Sequence, residues 1–201
     1  MKKPVKAGKI DLIKKHLKSL LSSARYKHSL GVAGTAEKLA NKYGISKEKA
    51  VLAGLLHDAG KGYSKKGMKN YILRHGLKID NKKELLRYGV SLAHGDISAH
   101  IAKTKFGVSD PDILAAISNH TLGKPDMSTL SKIIYLADAS APDRRHPCVS
   151  ALRKKILRNL DDALLFAMGN KIVHVIKNKK WLHPDAVKAW NNLIKRRKIE
   201  L

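Results

Sequence analysis

Histidines and aspartates recur at five places along the chain, each at or near the end of an apolar helical run. They are His28 in RYKHS, the adjacent His57-Asp58 in AGLLHDAGK, His94 in LAHG, His120 in NHTLG and Asp138 in IIYLADASAP. Such side chains are costly on an apolar face unless they are paired or coordinate an ion. A lone histidine so placed is more often a satisfied core residue, but several recurring in order point to a shared cation. Imidazole nitrogens mixed with carboxylate oxygens suit iron, manganese, cobalt or zinc, and there is no set of cysteines to build a structural zinc site. A cation held there would bring a coordinated water toward ionisation at neutral pH and withdraw charge from phosphoryl oxygens, which is hydrolytic chemistry.

The doublet is the most restrictive feature. Successive helical residues diverge by about 100°, so His57 and Asp58 reach one cation only at a helix end. Ala59 and Gly60 are small enough to let a ligand approach the backbone, and Lys61 follows as a cation for an anionic substrate. Arg25 lies three residues before His28, on the same helical face, and suits a phosphate clamp. Thr121 adjoins His120 and is placed to donate to a phosphate. His94 and His120 have two roles open to them, a second metal or a phosphate contact.

The elements that must position these residues read as helical almost throughout. Apolar residues at three- and four-residue spacing predict helices over about 9–23 and 25–43, the second stopped by Gly44. Ser46 caps a third that runs into the doublet. Further starts are expected at Asn81 with Glu84 as a capping box, at Asp96, at Asp110-Pro111, at Ser128, at Asp161 and at His183-Pro184. The class is all-α, a helical bundle of about nine or ten helices. Residues 9–201 are expected to form a single domain behind a frayed basic N-terminus, 1–8.

Composition narrows the function further. The 201 residues are 43% hydrophobic, enough for a core, and carry 41 Lys+Arg against 16 Asp+Glu, a formal charge of +25. Residues 28–60 and 91–147, which carry the His/Asp constellation, are together nearly neutral at +1, so the excess lies in the flanks. No nucleic-acid motif accompanies it and aromatics are only 5%, so nucleic-acid binding is expected to be weak and non-specific if present. No apolar run long enough for a membrane span and no secretory leader is seen, and Cys148 stands alone, which reads as cytoplasmic.

AGLLHDAGK, with RYKHS upstream and YLAD downstream, resembles the HD-domain metal-dependent phosphohydrolases. Their ligands are a His, the His-Asp doublet and a distal Asp, which His28, His57, Asp58 and Asp138 match one for one. LAHGDISAHIAKTKFGVSDPDILAAISNHTLG, MSTLSKIIYLADASAP and PDRRHPCVSALR are similar to the YqeK-type branch, the symmetrical bis(5'-nucleosyl)-tetraphosphatases, over roughly residues 20–195. The resemblance implies an iron enzyme that cleaves diadenosine tetraphosphate to two ADP, with a homodimer as a compatible assembly. It implies phosphate contacts at His94, His120 and Arg144. It also implies a segment closing over a nucleoside at Trp181, Leu182, His183, Pro184, Asp185 and Ala186. Ala141 stands where the branch usually has glutamate, and Cys148 where it usually has glycine. The rival readings are another HD nucleotide phosphohydrolase, such as a nucleotidase or guanosine-alarmone hydrolase, and an inactive HD scaffold that binds nucleic acid.

Overall fold

Ser22, Ser46, Ser64, Asp110, Ser128 and Asn159 each accept, on a side-chain oxygen, an N–H of the turn that follows, and so fix where six helices begin. The computed structural model of the chain describes residues 7–199. Eleven α-helices lie among them: α1 (Ala7–Leu20), α2 (Ser23–Lys42), α3 (Lys47–Leu56), α4 (Lys65–Arg74), α5 (Lys82–Tyr88), α6 (His94–Phe106), α7 (Pro111–Asn119), α8 (Thr129–Ser140), α9 (Val149–Ile156), α10 (Leu160–Lys177) and α11 (Pro184–Ile199). Short 3-10 turns occupy Ala59–Gly62 and Val90–Ala93, and no strand occurs among the described residues.

The all-α class is as expected, and the count exceeds nine or ten because α4 and α9 are not visible as periodic stripes. Each buries one pair four residues apart, Met68 with Ile72 and Leu152 with Ile156, among basic residues. The first helix ends at Leu20 rather than near 23, because Ser22 caps α2. Asn81 adopts a left-handed conformation with no side-chain cap bond, so the capping box with Glu84 does not form. Asn159, not Asp161, caps α10, and α6 starts at His94 with Asp96 inside its first turn. Residues 1–6 of the expected frayed terminus lie outside the described residues, and Ala7 and Gly8 already belong to α1.

α8 is the axis of the core. Leu130, Ser131, Ile133, Ile134, Tyr135, Leu136 and Ala137 are all buried, so almost every face of the helix meets protein, as a central helix requires. It packs against α2, α3, α7, α9 and α10. Gly54 brings α3 onto α2, since a Cβ there would lie 2.8 Å from Ala33 Cα. Among the described residues no helix is long and apolar enough to cross a membrane.

Candidate metal centre

Five helices bring their His and Asp residues to one point. α2 carries His28 and α8 carries Asp138 in its last turn. The C-terminus of α3 delivers His57 and then Asp58, α6 opens with His94, and α7 is capped by His120.

One local device orients three of the rings. His57 Nδ1 lies 2.7 Å from the Gly54 carbonyl, His94 Nδ1 2.7 Å from that of Ser91, and His120 Nδ1 2.6 Å from that of Ile117. A carbonyl only accepts, so each Nδ1 carries the proton and each neutral ring presents Nε2 as a lone pair, the form a metal needs. For His57 and His120 the acceptors are last-turn carbonyls that no further helical N–H would reach. His28 is held differently, its Nδ1 donating to the Asp143 carboxylate at 2.9 Å while Nε2 faces Asp138 Oδ1 at 2.9 Å.

Asp58 sits in the middle. Its Oδ2 is 3.5 Å from His57 Nε2 and 2.9 Å from Lys61 Nζ, and its Oδ1 is 3.3 Å from His94 Nε2 and 3.4 Å from His120 Nε2. Three overlapping triads have donor atoms within 4.8 Å of one another: His28, His57 and Asp58; His57, His120 and Asp138; Asp58, His94 and His120. The donor set fits a divalent cation. His57 Nε2 and Asp58 Oδ1 are buried with no hydrogen-bond partner, a costly arrangement that a coordinated ion relieves. His94 Nε2 and His120 Nε2 also face each other at 2.9 Å, where two lone pairs repel unless a positive charge or proton lies between them.

The electrostatics keep both carboxylates ionised and the central rings neutral. Burial disfavours the Asp58 charge, but His57, His120, His94 and Lys61 outweigh it and hold the carboxyl well below its usual value. Asp138 behaves alike, with burial overcome by the His28 hydrogen bond, His57 and Arg144. Being near the C-terminus of α8, that carboxylate also faces the negative end of the helix dipole and needs those cations. Burial lowers His57 despite Asp58 and Asp138, and pushes His120 down to about 4. His28 is raised, because its hydrogen bonds to Asp138 and Asp143 exceed the effect of burial.

The family model described as "HD domain" matches residues 25–143, more than half of the chain and a span that includes all six of these residues. The chain belongs to the HD-domain family. It is 35% identical over 92% of its length to "Bis(5'-nucleosyl)-tetraphosphatase, symmetrical" of Halalkalibacterium halodurans, covering 95% of that protein. The protein of the same name from Bacillus subtilis is 35% identical over 89% of this chain and 94% of its own. Among solved structures, a "predicted HD superfamily hydrolase involved in NAD metabolism" from Clostridium acetobutylicum superposes with a TM-score of 0.88 at 40% identity, covering 93% of this chain and 97% of that one.

Around the HD centre the other expected residues are placed unevenly. Arg144 donates through Nη2 to Asp138 Oδ1 and through Nε to the Asp138 carbonyl at 2.9 Å. Arg25 donates to the Lys61 carbonyl and, with Lys61, lines a cavity of about 360 Å³. Thr121 Oγ1 lies 3.0 and 3.2 Å from the Nε2 atoms of His94 and His120. Ala59 and Gly60 are buried, and the Gly60 N–H is spent on Ser98 Oγ at 2.8 Å. The close approach that Gly60 permits is therefore by protein rather than ligand: a Cβ there would lie 2.4 Å from the His94 carbonyl oxygen. Trp181, Leu182, His183 and Ala186 line a cavity of about 370 Å³ beside Thr121, whereas buried Asp185 borders a separate small cavity on the Asp96 side.

Two neighbours of the HD centre escape sequence reasoning. Asp143 fixes the His28 ring and is the residue before Arg144, so the DRR string carried a signal. Lys171 of α10 carried none in a lysine-rich chain. Its ammonium donates to the Thr121 carbonyl and lies 5.2 Å from the Tyr135 ring centroid; the residue as a whole stays exposed at the cleft wall, while desolvation of the ammonium, assisted by Lys61 and Arg144, draws its pKa down to about 8. His146 and His174, neither of them among the expected site residues, line a second cavity against the HD centre.

Proposed function

We propose that this HD protein hydrolyses dinucleoside tetraphosphates, diadenosine tetraphosphate above all, at the central anhydride to give two ADP. The observation that carries the reading is Asp58, a buried carboxylate met by three imidazole Nε2 atoms and a lysine next to a cleft. The names of the relatives supply the substrate class. His28, His57, Asp58 and Asp138 would hold the ion, iron on the resemblance, although manganese, cobalt or zinc suit the same donors. Such an ion, when bound, lowers the pKa of water and polarises a phosphoryl oxygen.

The chain's own residues do the rest. Arg144, Lys61 and Lys171 offer fixed cations to the phosphates, with Thr121 as a hydroxyl donor and Arg25 at the margin. Trp181 offers an aromatic face to a base. Water adds to one of the two inner phosphorus atoms, the bond from that phosphorus to the central bridging oxygen breaks, and the departing ADP keeps the bridging oxygen. His94 and His120 would contact phosphate through Nε2 once a phosphate oxygen supplies the negative charge that favours their protonation. The Asp58, His94 and His120 triad supports a second reading, a second ion in the same place. Residues 9–201 would act as one domain, in the cytoplasm and as a homodimer if the resemblance extends to assembly.

Product analysis on anaerobically purified protein, with metal content measured alongside, is the test. Two ADP per diadenosine tetraphosphate are expected; AMP plus ATP, or inorganic phosphate, overturns the reading. One or two ions per chain decides between the two roles of His94 and His120. Asp58→Ala is expected to lose turnover and metal together, and full activity in that variant would exclude the HD mechanism.

A further inference from the structure

The HD centre borders two cavities, and they share a wall. The one beside Trp181 reaches Thr121. The other, of about 500 Å³, is bounded by His120 and Asp138 themselves and extends between the end of α8, α9 and α10. Tyr135 and Lys171 line both. Its size is that of a small-molecule site. Arg144 and Lys171 give it cations beside the metal ligands, and Pro147, Leu152 and Phe166 give it apolar surface.

We propose that this second cavity is the subsite for the second nucleoside of a dinucleoside tetraphosphate, with Lys171 lying under the phosphates where the two cavities meet. The proposal rests on the function proposed above. A substrate with two equal ends, cut at its centre, has one nucleoside and two phosphates on each side of the bond. A centre that grips only one end leaves the other half loose in solvent, whereas two cavities that meet at a shared cation hold both halves and fix the central anhydride between them. The wall also bears on which base is accepted. Asn170, a polar side chain of this wall, already accepts from Cys148 Sγ at 3.4 Å and donates to the Phe166 carbonyl at 2.7 Å. The amide keeps a second N–H and a second lone pair, and Asn170 is exposed, so it is a group of this wall that is placed to meet a base edge.

The test compares diadenosine tetraphosphate with adenosine 5'-tetraphosphate, which carries the same four phosphates but one nucleoside. Wild-type kcat/KM is expected to favour the two-ended compound by about tenfold or more. Asn170→Trp, at an exposed helical position on the cavity wall, should lower kcat/KM for diadenosine tetraphosphate by a similar factor. The same variant should change adenosine 5'-tetraphosphate turnover by less than about twofold, which also reports that it is folded. Equal losses on both compounds, or no loss on either, overturn the second subsite while leaving the proposed function standing. A wild-type protein that hydrolyses no diadenosine tetraphosphate overturns the proposed function itself.

Discussion

The nitrogen that His57 turns toward Asp58 is a lone pair because its other nitrogen is committed to the Gly54 carbonyl, and His94 and His120 repeat the arrangement. Each of these bonds spans three residues, so the chemistry is written locally, which is why a His at the end of an apolar run is readable from sequence. What is not readable is set by distance along the chain. Asp143 meets His28 across 115 positions, and Lys171 reaches Thr121 across 50. Nothing in the local pattern of α10 separates Lys171 from the chain's many solvated lysines. Its position predicts a specific loss. A hydrogen bond to a charged group is worth about 1.5–3 kcal/mol, so Lys171→Met should raise KM for diadenosine tetraphosphate by about ten- to a hundredfold while metal content stays at the wild-type level. Loss of metal in this variant, or an unchanged KM, would show that Lys171 supports the fold of the cleft rather than the phosphates.

At the scale of elements, the centre depends on how closely three segments approach. The turn after the doublet lies against α6 at Gly60, and α6 lies against α7 at Gly95, where a Cβ would come 2.5 Å from the Ser118 carbonyl oxygen. These two contacts put His94 beside His120 and both beside Asp58. Helix starts are legible where a serine or aspartate makes a cap, as at Ser46, Asp110 and Ser128. Packing partners are not, because a glycine in a sequence does not announce which backbone it will meet, and Gly60 in sequence suits a ligand's approach as well as a helix's. Gly95→Ala should therefore cost about 1–3 kcal/mol of stability, since the obstacle is backbone that cannot swing aside, and should weaken metal retention at the same time. Gly34→Ala is the contrast. It lies inside α2 with nothing within 4 Å of its Cβ position, so it should be neutral or stabilising by up to about 1 kcal/mol. Equal denaturation midpoints for the two variants would refute this account of the packing.

For the whole molecule, the +25 charge and the buried histidines act in the same direction. His57, His120, His183, His16 and His100 all have pKa values lowered in the fold, chiefly by burial, and His120 lies near 4 against 6.5 unfolded. A lowered histidine binds fewer protons folded than unfolded, so its contribution is complete above about 6.5 and is lost as pH falls through the window down to the folded value. His28, raised, runs the other way: its contribution is complete below 6.5 and is lost as pH climbs through its folded value. Asp96, raised by burial against the hydrogen bond from Ser118, also opposes the trend. Asp58 and Asp138, held well below 3.8, contribute stability that is lost only at pH values below this window. Between pH 6.5 and 4 the His28 contribution is already complete, so among these groups only Asp96 runs against the five lowered histidines, and every proton taken up adds to a charge that already repels itself. The Tm of the chelated, metal-free protein should therefore fall steadily from pH 6.5 to 4, and a saturating divalent cation should hold it up in the upper part of that window by competing for the same Nε2 lone pairs. A metal-free Tm that is flat or rises toward pH 4 would mean that the central rings enter the fold already protonated, and the lone-pair orientation of His57 and His120 would go with it.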